Sequence, residues 1–389
     1  MAMDYERAYK DSFDQCFKYK DMYLKEATEE ETESLLKDLG GPFISEEEYE
    51  DIILPFWAKY NKKPNKNWFD LYCSRDKIID PKIVPIDLYL NEIVPYLNNL
   101  QLRFAIADKC NYDVIMAGIK QPETICKCTA SFYFDSNNNM ITRAEAIKLC
   151  LNHNGKFIIK PSVNTNNSKN VYSIDPTNMS EKDIDNLFEQ LGAYFIVQHK
   201  IEQHPELAKL SPDGVNTIRV NSILTDGGVY IPSVCARVAG PNQQIIEQGS
   251  GGWSGEIDKD STLYEKILIN NINFYKDQDG ADCVMLEMKW QELPENIRKE
   301  TGYKIPAIDK MCAIVKDVHK RLPHFRWIGW DFTVDTSGEP VFIEYNFVPG
   351  YRVGQLALGR PMFGDMTEEI LDDCYIYKRL ERNKLGRLL

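Results

Sequence analysis

The sequence contains no run approaching the ~18 consecutive apolar residues that a membrane-spanning helix needs, so no integral membrane segment is expected. It is short of positive charge: 46 Lys and Arg stand against 59 Asp and Glu, a formal net charge of -13. Such a chain repels phosphate backbones and anionic lipid at long range, so nucleic acid and membrane surfaces fit poorly as main partners. Any anionic ligand has to enter a locally basic cleft. The 10 cysteines are scattered, and the close pair Cys126-Lys-Cys128 has neither a second pair nor histidines at zinc-finger spacing, which fits reduced core thiols. Low-complexity tracts and internal repeats are missing, and 43% hydrophobic with 27% charged residues is an ordinary globular composition. The amino terminus, Met1-Ala-Met-Asp-Tyr-Glu-Arg7, runs straight into charged residues, from which a cytoplasmic location is expected.

What is present is length and texture. The chain has 389 residues, room for two to three domains at ~150 residues each. Residues 1–100 are rich in Glu, Lys, Tyr and Leu and are punctuated by Gly40-Gly41-Pro42, Pro55, Pro64, Pro81, Pro85 and Pro95, which predicts a small helical domain. Its aromatics Phe43, Phe56, Trp57, Trp68, Phe69 and Tyr72 are candidates for its core or for docking it on the rest. From residue 101 short apolar runs alternate with turn chemistry, the pattern of sheets with interspersed helices. Strands are expected at 156–160, 194–199, 215–224, 229–239, 327–334 and 341–346, and helices at 142–152, 181–192 and 308–321. The fold class is therefore α+β, with antiparallel strands dominating the C-terminal half.

The sharpest local signal is a hairpin. Side chains alternate between faces along a strand, so Gly329, Asp331 and Thr333 share one face, and Phe342, Glu344 and Asn346 share one face of the next. A four-residue loop at 336–339 would pair Asp335 with Pro340, Thr333 with Phe342, Asp331 with Glu344 and Gly329 with Asn346. Two opposed carboxylates repel unless something positive lies between them, and this all-oxygen set is what a hard cation such as Mg²⁺ prefers. The bland alternative is a solvated hairpin face, which the aromatic and aliphatic flanks weaken.

The second signal is Lys160, at the end of the apolar run Phe157-Ile-Ile-Lys160 and before a polar loop, where it is placed to meet a phosphate or to serve as an ordinary surface charge. Residues 163–170 of that loop contain no glycine, and Asn164, Asn166, Asn167 and Asn170 are the residues able to take positive φ there. Arg219 and Arg237 sit on adjacent expected strands, as anion contacts or as ion-pair partners. Gly249-Ser-Gly-Gly-Trp-Ser-Gly255 reads as a lid or a flexible loop. His204, in Gln203-His-Pro205, reads as a substrate contact or a structural histidine.

Taken in order, these elements resemble the ATP-grasp proteins, over roughly residues 101–375, and most closely the sugar-transfer-associated group. The resemblance is carried by Ala107-Asp-Lys109, Ile159-Lys-Pro-Ser162, Ile196-Val-Gln198, Gln203-His-Pro-Glu206, Val215-Asn-Thr-Ile-Arg219, Gly251-Gly252, Ile328-Gly-Trp-Asp331 and Phe342-Ile-Glu-Tyr-Asn346. It implies two α+β lobes holding ATP between them, residues 101–200 and 201–389, behind the helical domain of residues 1–100. Lys109, Lys160, Ser162 and Gln198 would then bind the nucleotide, and Asp331, Glu344 and Asn346 would hold Mg²⁺. Arg219 and Arg237 would serve the transferring phosphoryl group, with His204, Asn216, Gly251 and Gly252 on the substrate side. The implied activity is ATP-dependent ligation of a carboxylate to an amine through an acyl phosphate, both small molecules, one of them linked to a surface-polysaccharide sugar acid. A kinase acting on a hydroxyl, or a nucleotide-binding scaffold docking a glycosyltransferase, are the alternative readings.

Overall fold

The computed structural model describes residues 29–163, 170–212, 214–240, 250–276, 282–298, 302–350 and 355–377. Gly249 and the loop asparagines Asn164, Asn166 and Asn167 lie outside these residues, whereas Asn170 has φ 60°.

A small antiparallel sheet is built from β1 (Thr124–Thr129), β2 (Phe132–Asp135), β3 (Met140–Ile141), β4 (Phe157–Pro161), β5 (Tyr172–Ile174) and β6 (Tyr194–His199), in the order β3-β2-β1-β6-β4-β5. Two helices cover one face. The helix Arg143–Leu151 starts at a capping box between Thr142 and Glu145, and Glu181–Leu191 starts at one between Ser180 and Asp183, so free N–H groups at both starts are satisfied locally. Their Ala146, Ile147, Cys150, Ile184 and Phe188 pack on Cys126, Cys128, Phe157, Ile159, Phe195 and Val197. Alternation sends Lys127, Ile158, Lys160, Ile196 and Gln198 to the opposite face.

The larger antiparallel sheet uses β7 (Thr217–Thr225), β8 (Gly228–Val238), β9 (Ser250–Ile257), β12 (Trp327–Val334) and β13 (Pro340–Asn346) in the order β13-β12-β7-β8-β9, and β10 (Lys266–Lys276) with β11 (Asp282–Glu292) forms a separate hairpin. The helix Ile308–Val318 covers one face, where Met311, Val315 and Val318 join Ile218, Val220, Val234, Ala236, Ile328, Trp330 and Phe332 in one core. The other face carries Arg219, Asn221, Arg237, Gly329, Asp331, Glu344 and Asn346. The expected final helix turns into a 3-10 turn after Val318, at His319–Arg321.

Two expectations are corrected. Near the carboxylates the hairpin register is as expected, with Asp331 opposite Glu344 and Gly329 opposite Asn346, but a bulge follows. Phe342 pairs with Phe332 instead of Thr333, and Pro340 pairs with Val334 instead of Asp335. The cause is packing: the slip turns Phe342 into the core against Tyr112, Trp330, Phe332 and Tyr345, while Glu344 stays on the polar face. The glycine-rich run is no loop within its described part, because residues 250–257 form β9, of which 253–257 pair with β8. Gly255 fits there because a Cβ would lie 3.0 Å from Ile267 Cγ2 and 3.2 Å from Leu263 Cδ1.

Among the described residues, the core of the N-terminal helical segment is continuous with that of the C-terminal segment. Trp57, Trp68, Phe69, Tyr72, Tyr89 and Ile93 share one cluster with Trp327, Leu356, Phe363, Ile370 and Leu371, so this segment, the start of β12 and the C-terminal segment are packed together.

Because Phe342 is fully buried among four aromatic rings, Phe342→Ala is expected to destabilise the fold by about 3–5 kcal/mol, read as a fall in the urea midpoint at unchanged m-value.

Candidate functional site

The polar faces of the two sheets supply one cluster. Across the large sheet, directly paired residues form the row Glu344, Asp331, Arg219, Cys235, Glu256, and beside it the row Asn346, Gly329, Asn221, Ser233. Paired residues project to the same side, so both rows lie on one face of the sheet; at its far end Glu256 is covered by Arg75 and Arg360, each 2.7 Å away. Arg219 grips the buried Asp331 in bidentate fashion, Nε to Oδ1 at 2.6 Å and Nη2 to Oδ2 at 2.7 Å. Arg237 Nη1 adds a contact to Oδ2 at 3.2 Å, and Asn346 Nδ2 another at 3.3 Å.

Lys109 comes from the segment that precedes the small sheet. Asp108 caps the 3-10 turn Lys109–Asn111, accepting from Cys110 N at 2.9 Å, and Lys109 N donates to Ser162 O at 2.9 Å. That bond pins the turn to the end of β4, which is the end that carries Lys160. Lys109 Nζ then lies 3.0 Å from Glu344 Oε2.

The electrostatics follow from this crowding. Burial and the neighbouring Lys109 pull the Lys160 ammonium down to about 8, against a partial restoring effect of Glu344. Burial alone would raise Glu344, but Lys109 and Lys160 outweigh it and hold the carboxyl at about 2. For Arg219 the loss of solvation is outweighed by Asp331, which raises its pKa, whereas for Arg237 burial prevails and lowers it. Cys235, inside the row, is pushed up to about 12 by burial, which leaves it a thiol. Four cationic side chains thus surround two carboxylates.

A family model for sugar-transfer-associated ATP-grasp proteins matches residues 90–258 and 275–370, more than half of the chain. The chain belongs to the sugar-transfer-associated ATP-grasp family. Among solved structures, this ATP-grasp chain is similar to the VanG D-Ala:D-Ser ligase from Enterococcus faecalis, 15% identical over 69% of this chain and 62% of that one, with a TM-score of 0.39. It is also similar to D-alanyl-alanine synthetase A from Vibrio cholerae, 14% identical over 70% and 64% with a TM-score of 0.34, and to the D-cycloserine synthetase DcsG, 13% identical over 76% and 73% with a TM-score of 0.36. The chain spans less than two thirds of the length of the first two. No curated protein sequence matches it. Among the described residues no helix is long and apolar enough to cross a membrane.

Of the residues singled out in the sequence, Lys109, Arg219, Arg237, Asp331, Glu344 and Asn346 meet in direct contacts, and Lys160 joins them electrostatically. Ser162 contributes its carbonyl to Lys109, and Gln198 lies on the Lys160 face of the small sheet, its Nε2 donating to Pro122 O at 3.3 Å. Gly251 and Gly252 fall at the start of β9.

Two residues stand apart. His204 caps the helix Pro205–Leu210, its Nδ1 accepting from Glu206 N at 3.2 Å, and its own N–H bonds Val334 O at the turn end of the hairpin. Asn216 is fully buried: Nδ2 donates to Leu207 O at 2.7 Å and Ser211 O at 2.9 Å, and Oδ1 accepts from Ala239 N at 3.1 Å. Neither makes a direct contact with the charged cluster among the described residues: His204 takes the structural role left open for it, and the Asn216 side chain serves the backbone.

Sequence reasoning missed Gly329. An added Cβ would meet Arg219 Cδ at 3.0 Å, Asn221 Oδ1 at 3.0 Å and Pro349 Cβ at 3.1 Å, so glycine makes the passage through which Arg219 reaches Asp331. A glycine inside an otherwise bulky strand was the available signal. Gly329→Ala is expected to cost about 1–3 kcal/mol through overpacking and to loosen the Arg219–Asp331 pair. A wild-type melting temperature for Gly329→Ala would show the passage to be slack.

Proposed function

We propose that this ATP-grasp chain is an ATP-dependent carboxylate–amine ligase working through an acyl phosphate, with lobes at residues 101–200 and 201–389. The observation that carries the reading is the cluster of Lys109, Lys160, Arg219 and Arg237 around Asp331 and Glu344. It is a local excess of positive charge in a chain whose net charge is -13, suited to a polyphosphate.

The donor set has the all-oxygen chemistry Mg²⁺ prefers, two carboxylates directly paired across β12 and β13 with the Asn346 amide beside them, although an ion on Asp331 would have to share its oxygens with Arg219 and Arg237. Asp331, Glu344 and Asn346 would hold the ion, which when bound shields the β and γ phosphates. Lys109 and Lys160 hold the phosphate oxygens, and Gln198 and Ser162 border the nucleotide on the small sheet. A carboxylate oxygen of the acceptor attacks the γ phosphorus and ADP leaves; an amine then attacks the acyl carbon, loses a proton and expels phosphate. Among the described residues Arg237 Nε is buried without a partner, which leaves a donor for the oxygens that gain charge in these steps, while Arg219, locked on Asp331, fixes the anionic wall beside them. Phosphoryl transfer needs mainly this alignment and neutralisation. The family's association with sugar transfer supports an acceptor tied to surface polysaccharide, for instance a uronic acid.

The test is a thermal shift with ATP, with and without Mg²⁺, followed by ADP release in the presence of candidate carboxylates and hydroxylamine, which traps an acyl phosphate as a hydroxamate. Ligand at a hundredfold excess over Kd adds about 2.7 kcal/mol to the native state, a shift of degrees. Wild type is expected to show a Mg²⁺-dependent shift and Glu344→Gln to lose it while staying folded. A stable phosphorylated product in place of hydroxamate would move the assignment to a kinase, and binding without any turnover would leave a scaffold. Lys160 sets a pH dependence: its charge is present below about 8 and lost above, so ATP affinity is expected to fall as pH rises through 8. In Lys160→Met that fall should vanish.

A further inference from the structure

We infer that Asn98 and Tyr89, two side chains of the N-terminal helical segment, are positioning residues that hold the open end of the β12–β13 hairpin and thereby the alignment of Asn346, Glu344 and Arg219. The inference rests on the proposed reading of the cleft and gives the helical segment a part in it.

The ladder between β12 and β13 runs out at Gly329 and Asn346, so the backbone just beyond needs other partners. Asn98 supplies them from a single side chain. Its Nδ2 donates to Trp327 O at 2.7 Å and to Phe347 O at 2.6 Å, and its Oδ1 accepts from Trp327 N at 2.9 Å. One amide therefore ties the start of one strand to the residue that follows Asn346 on the other. Tyr89 repeats the device a step further on: its hydroxyl accepts from Trp327 Nε1 at 3.0 Å and donates to Pro349 O at 2.6 Å. Both side chains are buried, Asn98 at 2% exposure and Tyr89 at 0%.

The backbone reinforces the tie, with Arg326 N donating to Leu97 O at 3.1 Å, Asn99 N to His324 O at 2.9 Å, and Phe325 stacked on Phe347 at 3.6 Å between centroids. Pro349 is the lever that carries this to the cleft. Its Cβ stands 3.1 Å from where a Cβ on Gly329 would be, in the same gap that Arg219 crosses to reach Asp331. A shift of Phe347 to Pro349 thus moves Asn346 along its strand and closes or opens the Arg219 passage at the same time. The hydrogen bonds of Asn98 and Tyr89 go to Trp327, Phe347 and Pro349 and not to Asp331, Glu344, Asn346 or Arg219, so both act chiefly through the hairpin end they hold.

The experiment compares Tyr89→Phe and Asn98→Asp with Tyr49→Phe in the full chain. Tyr49 is a matched control, a buried tyrosine of the same segment whose hydroxyl also donates to a proline carbonyl, Pro64 O, away from the hairpin. Tyr89→Phe keeps the ring and is the variant designed to fold; Asn98→Asp keeps the shape and the acceptor for Trp327 N but turns a second oxygen on the Trp327 and Phe347 carbonyls, so it is the harsher of the two. Two readouts are taken: hydrogen exchange of the amides at 327–331 and 344–347 without ligand, and the Mg²⁺ concentration needed for the ATP-dependent thermal shift. Tyr89→Phe and Asn98→Asp should exchange faster at those amides and need about tenfold more Mg²⁺, a typical effect of removing support behind a ligand; Tyr49→Phe should lower the melting temperature and leave both readouts unchanged.

Equal exchange and equal Mg²⁺ requirement in all three variants overturns the inference, as does loss of both in Tyr49→Phe, which would mark the effect as general destabilisation. Failure of wild type itself to shift with ATP and Mg²⁺ overturns the reading of the cleft. In that case faster exchange in the two variants alone still upholds the positioning of the hairpin.

Discussion

Two carboxylates set directly opposite each other on neighbouring strands repel, and the arrangement of the cleft answers that repulsion. Asp331 is neutralised from within its own sheet by Arg219 and Arg237, one strand and two strands away. Glu344 is neutralised from outside it, by Lys109 in the 3-10 turn bonded to Ser162 and by the field of Lys160 at the end of β4. The larger sheet thus draws on cations from outside it, Lys109 and Lys160, in addition to its own Arg237, to balance Glu344. Under the proposed function, a polyphosphate entering between the two sheets would compete with Glu344 for the same lysines, and a divalent ion would take their place at the carboxylate. In this reading, ligand binding exchanges partners within a fixed set of charges, which costs less than creating a new buried charge.

The hairpin was legible because its information is local. Alternation and a short turn put Asp331, Glu344, Gly329 and Asn346 on one face, and the structure places them there. The register toward the turn was not legible: the bulge serves Phe342, whose ring partners Tyr112 and Trp330 come from other elements and leave no trace in the hairpin's own pattern. The glycine-rich run misled for a related reason. Glycine marks both mobility and close packing, and only the position of Ile267 and Leu263 over Gly255 decides between them.

His204 and Asn216 illustrate a different limit. Each stands in a motif beside the cleft residues in sequence, and each is a polar side chain of the kind that meets substrate. Yet a strand entered from a short helix leaves several carbonyls and N–H groups to satisfy, and Asn216 meets Leu207 O, Ser211 O and Ala239 N in one stroke. Whether a polar residue answers the backbone or a ligand depends on which groups are left unpaired nearby, a property of the fold and not of the motif.

The same reasoning explains why the N-terminal segment looked silent. Its ties to the large sheet are made by single groups: Arg75, whose Nη1 meets Glu256 of β9 at 2.7 Å, and the Asn98 amide and Tyr89 hydroxyl, which bond Trp327 across sequence separations of 229 and 238. The pull toward that arrangement is hydrophobic, since Trp57, Phe69, Tyr72 and Ile93 find their cover against Trp327, Phe363 and Leu371. Burial brings the segment to the back of the hairpin, and the two polar groups then fix the hairpin's open end to it. A chemically plain domain is in this way joined to the charged face of the molecule, with Gly329 and Pro349 forming the joint between the two.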